Sequence, residues 1–307
     1  MSFLATKRKD SLIDRRGLWL LAIPALVITI LMQYMPLPGL IIAFKNYNYG
    51  LGMWKSTWSG FSNFKYLFST DIAARITFNT ISWNLIFIVL THTVAISVAL
   101  LLNEVSRKAV KFYQTIYFFP FFLSWVIAAY LGLALFNGDK GILNSILNTL
   151  GREGIIWYAK PEVWKGILPI AHLWKQFGYV AVIYYTALIG LNPQLYEAAM
   201  LEGANRWQMA YRISVPQLKQ LVVILVMMDI GRIFRSDFGL FYQFTRNSSM
   251  LYPVTDVIDT YVYRALLTLG DPGMAAAAGL YQSLVALVLV LVTNKIVTKV
   301  DSESRVF

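Results

Sequence analysis

Four ionisable side chains stand close together in one otherwise apolar stretch of the chain: Asp229, Arg232, Arg235 and Asp237. An ionisable group at membrane depth costs at least about 2.5–3.5 kcal/mol on insertion scales, so such groups usually face a partner or a water-filled cavity. Asp229 and Arg232 have the spacing of a pair on one helix face. Two interpretations stay open: a structural network that joins this stretch to its neighbours, or a wet pathway in which Arg232 or Arg235 binds hydroxyl or carboxylate groups of a solute.

Three further residues are candidates for lining such a pathway: Gln176, Tyr242 and Gln282. The chain has no cysteine, and its two histidines, His92 and His172, are far apart in sequence, so we expect no metal site. It carries no G-x-x-x-x-G-K-[ST] phosphate-binding loop and no nucleophile motif. We therefore expect no catalytic residue and no cofactor bound by this chain.

The composition is typical of a protein embedded in lipid. Hydrophobic residues make up 57% and charged residues 14% of the 307 residues, whereas a soluble domain averages about 25% charged. A helix needs about 20 apolar residues to cross the hydrocarbon core, and six stretches qualify. They predict an all-α integral membrane protein with one domain, residues 1–307. The six spans are predicted at about residues 18–44, 78–102, 112–136, 167–191, 221–241 and 274–297.

Lysine and arginine give the expected orientation. They crowd the two chain ends and the short loops near residues 103–111 and 206–219, which the positive-inside rule places in the cytoplasm. Both termini are then cytoplasmic, and the basic N-terminal segment is interpreted as an uncleaved anchor. The net charge of +11 is explained by anionic lipid headgroups, and we expect no binding of nucleic acid.

The loop between the fourth and fifth spans, residues 192–217, has the signals of two short helices. Asn192 and Pro193 can cap and start the first helix, and Gly203 can end it in a left-handed conformation. Asn205 can cap a second helix, and Pro216 closes the unit. The pattern alone leaves two possibilities open: a connector that lies on the lipid headgroups, or a surface on which another protein docks.

Six residues of this loop carry a resemblance to a known family: Glu197, Ala198, Ala199, Gly203, Ile213 and Pro216. Their spacing resembles the "EAA…G…I.LP" loop of permeases of ABC importers, with Val215 where that family usually has Leu. The sequence segment "WKQFGYVAVIYYTALIGLNPQLYEAAMLEGANRWQMAYRISVPQL" is similar to carbohydrate-uptake permeases of the maltose-transporter type. The segments "IGRIFRSDFGLFYQF" and "VTDVIDTYVYRALL" resemble the oligosaccharide and polysaccharide branch of these permeases, which includes alginate importer permeases.

The resemblance implies a type I ABC importer transmembrane domain with cytoplasmic coupling helices, in a bacterial-type cytoplasmic membrane. It implies four kinds of partner: a second, homologous permease, two ATPase subunits that bind ATP and Mg, a solute-binding protein, and an oligosaccharide or polysaccharide substrate. In that family the loop docks into a cleft of the ATPase. Glu197 would pair there with a basic residue, Ala198 and Ala199 would pack in the cleft, and Gly203 would allow the bend.

Two alternatives remain open at this stage. One is a secondary, ion-coupled transporter that uses Asp229 as its ion or proton site and needs no ATPase. The other is a membrane enzyme acting on lipid-linked sugars, for which Asp229 and Asp237 would be the acids.

Overall fold

The computed structural model describes residues 12–300, with side chains over residues 17–295. Within this part the chain is nearly all helical, which confirms the predicted fold class. The single strand pair described, β1 (Lys45–Asn46) with β2 (Thr57–Trp58), is antiparallel. The helices are α1 (Leu12–Thr29), α2 (Gly52–Lys55), α3 (Ser62–Ser69), α4 (Asp71–Asn103), α5 (Arg107–Phe122), α6 (Trp125–Phe136), α7 (Ile142–Thr149), α8 (Pro161–Ile189), α9 (Pro193–Leu201), α10 (Arg206–Met209), α11 (Val215–Ile230), α12 (Tyr252–Thr255), α13 (Ile258–Leu267) and α14 (Pro272–Val300).

Shorter segments of tighter or wider helix join these elements. The 3-10 segments are Leu37–Phe44, Trp157–Ala159 and Ser249–Leu251, and the π-helical segments are Ile30–Tyr34, Ala210–Ser214 and Gly239–Phe244. The first apolar stretch is therefore not one regular helix, and it changes geometry around Pro36 as its prolines predict.

Four helical stretches of the described chain are long and apolar enough to cross a membrane: Gly17–Phe44, Asp71–Asn103, Arg206–Ile230 and Pro272–Lys295. Helices α5 and α6 make a fifth if the pair, bent by 98°, counts as one span. Helix α8 has the length but is not among them, because Lys175 and Gln176 lower its mean hydropathy. The predicted count of six spans is thus not confirmed.

The packing centres on helices α4 and α8, which lie against each other over much of their length. Helix α5 reaches α8 at Gly178, where a Cβ atom would lie 2.2 Å from the carbonyl oxygen of Tyr117, so only glycine allows this approach. Three buried clusters form the core. Their largest members are Trp83, Phe87, Trp164 and Phe241 in the first, Ile76, Phe234 and Ile258 in the second, and Tyr184, Leu188 and Leu218 in the third.

Two predicted spans are interrupted. The stretch 112–136 bends sharply at Leu123 and Ser124, where the Ser124 side chain caps α6 by accepting from the Ile127 N–H at 3.3 Å. The buried Lys175 ammonium donates to the carbonyl oxygens of Phe121 at 2.9 Å and Leu123 at 2.5 Å. These carbonyls have lost their helical partners, so a cation suits the end of α5.

The stretch 221–241 was predicted as one helix, and this is wrong. Helix α11 ends at Ile230, residues 231–237 form turns and irregular chain, and helical geometry resumes at Phe238 and continues through Gly239–Phe244. We refer to residues 231–237 as the break. Turn hydrogen bonds satisfy several of its backbone N–H groups, and contacts with distant parts of the chain, described below, satisfy the Ser236 N–H and the carbonyl oxygens of Ile233 and Phe234.

Candidate functional site

Loop 192–217 has the local structure that its sequence predicts. The Asn192 side chain accepts from the Gln194 N–H at 3.0 Å and caps α9. Gly203 has a φ of 81°, which is the left-handed region that favours glycine. Asn205 and Gln208 form a reciprocal capping box at the start of α10. The two short helices are therefore held in a fixed relation by contacts within the loop itself.

The loop presents apolar side chains that nothing in the described part of the chain covers. Leu201 is 91% exposed, Trp207 70% and Tyr211 67%. The motif residues Glu197, Ala198 and Pro216 are exposed as well, while Ala199 and Ile213 are partly buried. Large apolar side chains left exposed outside the predicted spans are characteristic of contact with another molecule.

One polar contact within the loop and one between the loop and α4 hold this surface. The hydroxyl groups of Tyr196 and Ser214 are 2.8 Å apart, which joins α9 to the π-helical segment. Arg206 Nη1 lies 3.2 Å from Glu104 Oε2, at the end of α4. A cleft of about 330 Å³ between Leu100, Leu101, Trp207 and Tyr211 lies beside this ion pair. The ion pair and this cleft are where the loop meets the end of α4.

The number of residues along helix α4 gives the distance of a position from the loop, because a helix rises about 1.5 Å per residue. Counted from Glu104, His92 is about 18 Å along the helix, Asn84 about 30 Å and Asn79 about 37 Å. The hydrocarbon core is about 30 Å thick. Contacts of His92 thus lie near mid-membrane, and contacts of Asn84 and Asn79 lie toward the membrane face opposite the loop.

Asp229 does not pair with Arg232, contrary to the sequence prediction. Its Oδ2 lies 2.9 Å from Nε2 of His92, whose Nδ1 lies 2.7 Å from the hydroxyl oxygen of Tyr184. The helix ends one residue after Asp229, so Arg232 no longer lies on the same helical face. Asp229 joins α11 to α4 and α8 near mid-membrane.

Arg232, Arg235 and Gln282 do come together. They line a cleft of about 750 Å³ beside the break, with Ser236 and Asp259. We call this the basic cleft. Gln282 donates to the carbonyl oxygen of Phe234 at 2.5 Å and to Asp259 Oδ1 at 3.2 Å, and Asp259 Oδ2 accepts from the Ser236 N–H at 2.7 Å.

The break lies in the half of the membrane far from the loop, since the Asn84 side chain donates to the carbonyl oxygen of Ile233 at 2.9 Å. Asp237 ends the break and starts the next helical segment. Its Oδ1 accepts from the N–H groups of Gly239 and Leu240, at 3.1 Å and 3.3 Å, and its Oδ2 accepts from the Trp125 indole at 2.7 Å. Asp237 is therefore a cap, and the two arginines are left to face the basic cleft.

Tyr242 and Gln176 lie outside the basic cleft. Tyr242 stacks on Phe238 with ring centroids 4.8 Å apart and meets Tyr263 edge-on. It lines a separate cleft of about 350 Å³, which we call the tyrosine cleft, formed by Val126, Ala129, Tyr130, Tyr242, Gln243, Arg246 and Asn247. Gln176 is partly buried on α8 and lines neither of these clefts.

One ionic cluster was missed by reasoning from sequence. Asp256 is 1% exposed and binds two guanidinium groups: Oδ2 lies 3.0 Å from Arg75 Nη2, and Oδ1 contacts Arg264 Nη2. Asn79 donates to the carbonyl oxygen of Asp256 at 3.0 Å, which places the cluster about 37 Å from Glu104 along α4. Arg75 and Asp256 are 181 residues apart, so no local pattern could reveal the contact.

The fold and these sites define a class: a multi-helix membrane protein with a broken span, polar clefts beside the break, and an exposed two-helix surface on one membrane face. A family model described as "Binding-protein-dependent transport system inner membrane component" matches residues 91–302. The chain belongs to that family, and it is a membrane-embedded transport component rather than an enzyme.

Individual relatives cover nearly the whole chain. It is 32% identical to protein LplB of Bacillus subtilis (strain 168), over 99% of this chain and 93% of the relative. It is also 32% identical to the polygalacturonan/rhamnogalacturonan transport system permease protein YteP of the same organism, over 98% of this chain and 94% of that protein.

A solved structure shares the fold. It is the bacterial alginate ABC transporter in complex with an alginate pentasaccharide-bound periplasmic protein. One of its chains matches with a TM-score of 0.83 and 31% identity, over 94% of this chain and 96% of that chain. The predicted resemblance to ABC importer permeases is therefore confirmed.

Proposed function

We propose that this chain is one permease subunit of an ATP-driven importer and forms half of a translocation pathway for an oligosaccharide or polysaccharide. A second, homologous permease supplies the other half. Two ATPase subunits, which hold ATP and Mg, bind loop 192–217, and a solute-binding protein delivers the sugar on the opposite face. Both termini then lie on the ATPase side.

The observation that carries this proposal is the exposed surface of loop 192–217. Its helices are rigidly capped, yet Leu201, Trp207 and Tyr211 are left without cover in the described chain. A headgroup-lying connector would not need a fixed bend at Gly203. A docking element does, because a rigid contact transmits the movement of its partner.

The loop is joined to the pathway through the helices themselves. Helix α11 runs from the end of the loop to the break, and the Arg206–Glu104 ion pair ties the loop to α4. Closure of the ATPase dimer would thus move α4 and α11 together and change access to the basic cleft. Arg232, Arg235 and Gln282 face that cleft and would contact the sugar by hydrogen bonds.

The names of the relatives support the substrate class. YteP is named for polygalacturonan and rhamnogalacturonan transport, and the solved structure is an alginate transporter. Other relatives are named for xylose and arabinose, diacetylchitobiose and lactose, so sugar is common to the named substrates.

The test is uptake of labelled oligosaccharide by proteoliposomes that contain the complete complex. We expect uptake only with ATP on the loop 192–217 side and the binding protein on the other. The ion-coupled alternative, with Asp229 as the proton site, predicts uptake by this chain alone when a proton gradient is imposed. Gradient-driven uptake without the ATPase would overturn the proposal.

A further inference from the structure

Two consecutive non-glycine residues in the described chain have positive φ: Arg246 at 55° and Asn247 at 46°. They end the helical segment Gly239–Phe244, with the Arg246 N–H bonded to the Gln243 carbonyl oxygen at 3.1 Å and the Asn247 N–H to that of Tyr242 at 2.9 Å. Asparagine tolerates this conformation, and glycine would adopt it freely. An arginine has a Cβ atom that makes a positive φ sterically unfavourable, so the backbone at Arg246 is strained.

The surrounding structure holds this turn in place. Oδ1 of Asn247 accepts from the Tyr252 hydroxyl at 3.3 Å and lies 3.5 Å from Arg264 Nη1. Ser248 donates to the carbonyl oxygen of Tyr158 at 2.8 Å. Because Arg264 also binds Asp256, the turn belongs to the cluster about 37 Å from Glu104, at the membrane face opposite loop 192–217.

Arg246 is also one of the residues that line the tyrosine cleft. This cleft carries one positive charge, two amides and two phenol hydroxyls, and its lining includes no carboxylate. The basic cleft differs in this respect, since Asp259 lies among its arginines. In the described part of the chain Arg246 forms no ion pair, so its charge is free to bind an anion.

The rest of the cleft suits a sugar ring. Tyr130 is 69% exposed and offers its ring to a ligand, and Tyr242 is held by its stacking on Phe238, so Tyr242 loses little side-chain freedom on binding. A volume of about 350 Å³ lies at the small end of the range of about 300–1,000 Å³ typical of small-molecule sites. It fits a short piece of a saccharide.

We propose that Tyr130, Tyr242, Gln243, Arg246 and Asn247 form an outer subsite that binds one carboxylated sugar ring, a uronate residue, of the transported saccharide. The carboxylate binds the Arg246 guanidinium, the amides of Gln243 and Asn247 bind ring hydroxyls, and the ring lies against the tyrosines. The subsite rests on the proposed transport function and lies on the substrate side of the basic cleft.

The test compares the intact complex with the variants Arg246→Gly and Arg246→Lys. The probes are a galacturonate trisaccharide and the same trisaccharide with its carboxylates reduced to alcohols. Binding of each probe to the purified complex, held with a non-hydrolysable ATP analogue, is followed by ligand-observed NMR. Lys65→Gln is the matched control, because it removes one exposed positive charge that lines neither cleft.

We expect Arg246→Gly to weaken binding of the acidic probe about tenfold, since a charge-assisted bond is lost, and to leave the neutral probe unchanged. Arg246→Lys should recover part of the preference for the acidic probe over the neutral probe. The glycine variant should also unfold at a higher temperature, because the strain is relieved. Loss of binding together with a gain in stability is a combination that a purely structural arginine does not give.

Three results would overturn the inference: equal binding of both probes by the wild type, an unchanged preference in Arg246→Gly, or a glycine variant whose main defect is weaker capture of ligand-free binding protein. The third result would show that the tyrosine cleft contacts the solute-binding protein and not the sugar. If ATP-dependent uptake persists while the preference is unchanged, this inference fails and the transport proposal stands. Absence of ATP dependence in the wild type is instead the failure of the transport proposal.

Discussion

Loop 192–217 and the break at residues 231–237 both interrupt helices, but different contacts hold them. The loop is shaped by partners within a few residues: Asn192 with Gln194, and Asn205 with Gln208. The break is shaped by partners far away in sequence, since Phe234 is bound by Gln282 and Ile233 by Asn84. A locally determined element can move as a unit, whereas the geometry of the break depends on how the helices around it pack.

Parts of the molecule that are held by contacts between residues far apart in sequence should therefore be more sensitive to single substitutions. Among them, the Asp256 cluster should give the largest effect. Asp256→Asn leaves two guanidinium groups without their buried anion. We expect a loss of about 3 kcal/mol in the free energy of unfolding, because breaking a buried ion pair strands the opposite charges. Thermal unfolding of the purified protein in detergent measures this. Asp139→Asn, at an exposed loop position, is the control and should change stability little.

The bend between α5 and α6 should give the next largest effect. Lys175→Met removes the ammonium group that satisfies the carbonyl oxygens of Phe121 and Leu123, and we expect a loss of about 2 kcal/mol. The same unfolding assay applies. Lys165→Met, on an exposed position of the same helix, should be nearly neutral. Equal stability of the two variants would show that Lys175 does not hold the bend.

Within the loop, the effect on stability should be smaller. Gly203→Ala places a Cβ at a φ of 81° where no atom lies within 4 Å, so only the backbone conformation is penalised. We expect a loss of about 1 kcal/mol. Gly190→Ala is the matched control, because Gly190 has a φ of −84° that alanine adopts without strain. A Gly203→Ala variant as stable as this control would contradict the left-handed bend.

The contrast between local and long-range contacts explains which features could be predicted from the sequence. The caps at Asn192 and Asn205 and the turn at Gly203 were predicted because each depends on residues that are neighbours in the chain. The pairing of Asp229 with Arg232 was wrong, because it assumed that the helix continues, whereas it ends at Ile230.

The actual partner, His92, is 137 residues from Asp229, and nothing in the local spacing indicates it. The Asp256 cluster was missed for the same reason. Six residues were predicted as pathway candidates, and three of them, Arg232, Arg235 and Gln282, line one cleft. The other three, Asp229, Gln176 and Tyr242, lie elsewhere. Helix ends are local signals, while the choice of partners across a bundle depends on packing that a single sequence does not display.

The central claim is that loop 192–217 couples this permease to an ATPase, and Glu197→Lys tests it most directly. Glu197 is exposed, so the variant should insert and unfold as the wild type does. In the assembled complex, we expect ATPase activity stimulated by sugar-loaded binding protein to fall by about tenfold or more, since a reversed charge at a docked pair is repelled. Lys108→Glu reverses a charge at an exposed position on the same membrane face, at the start of α5 and outside loop 192–217, and should retain full stimulation. Normal stimulation in Glu197→Lys would contradict the account.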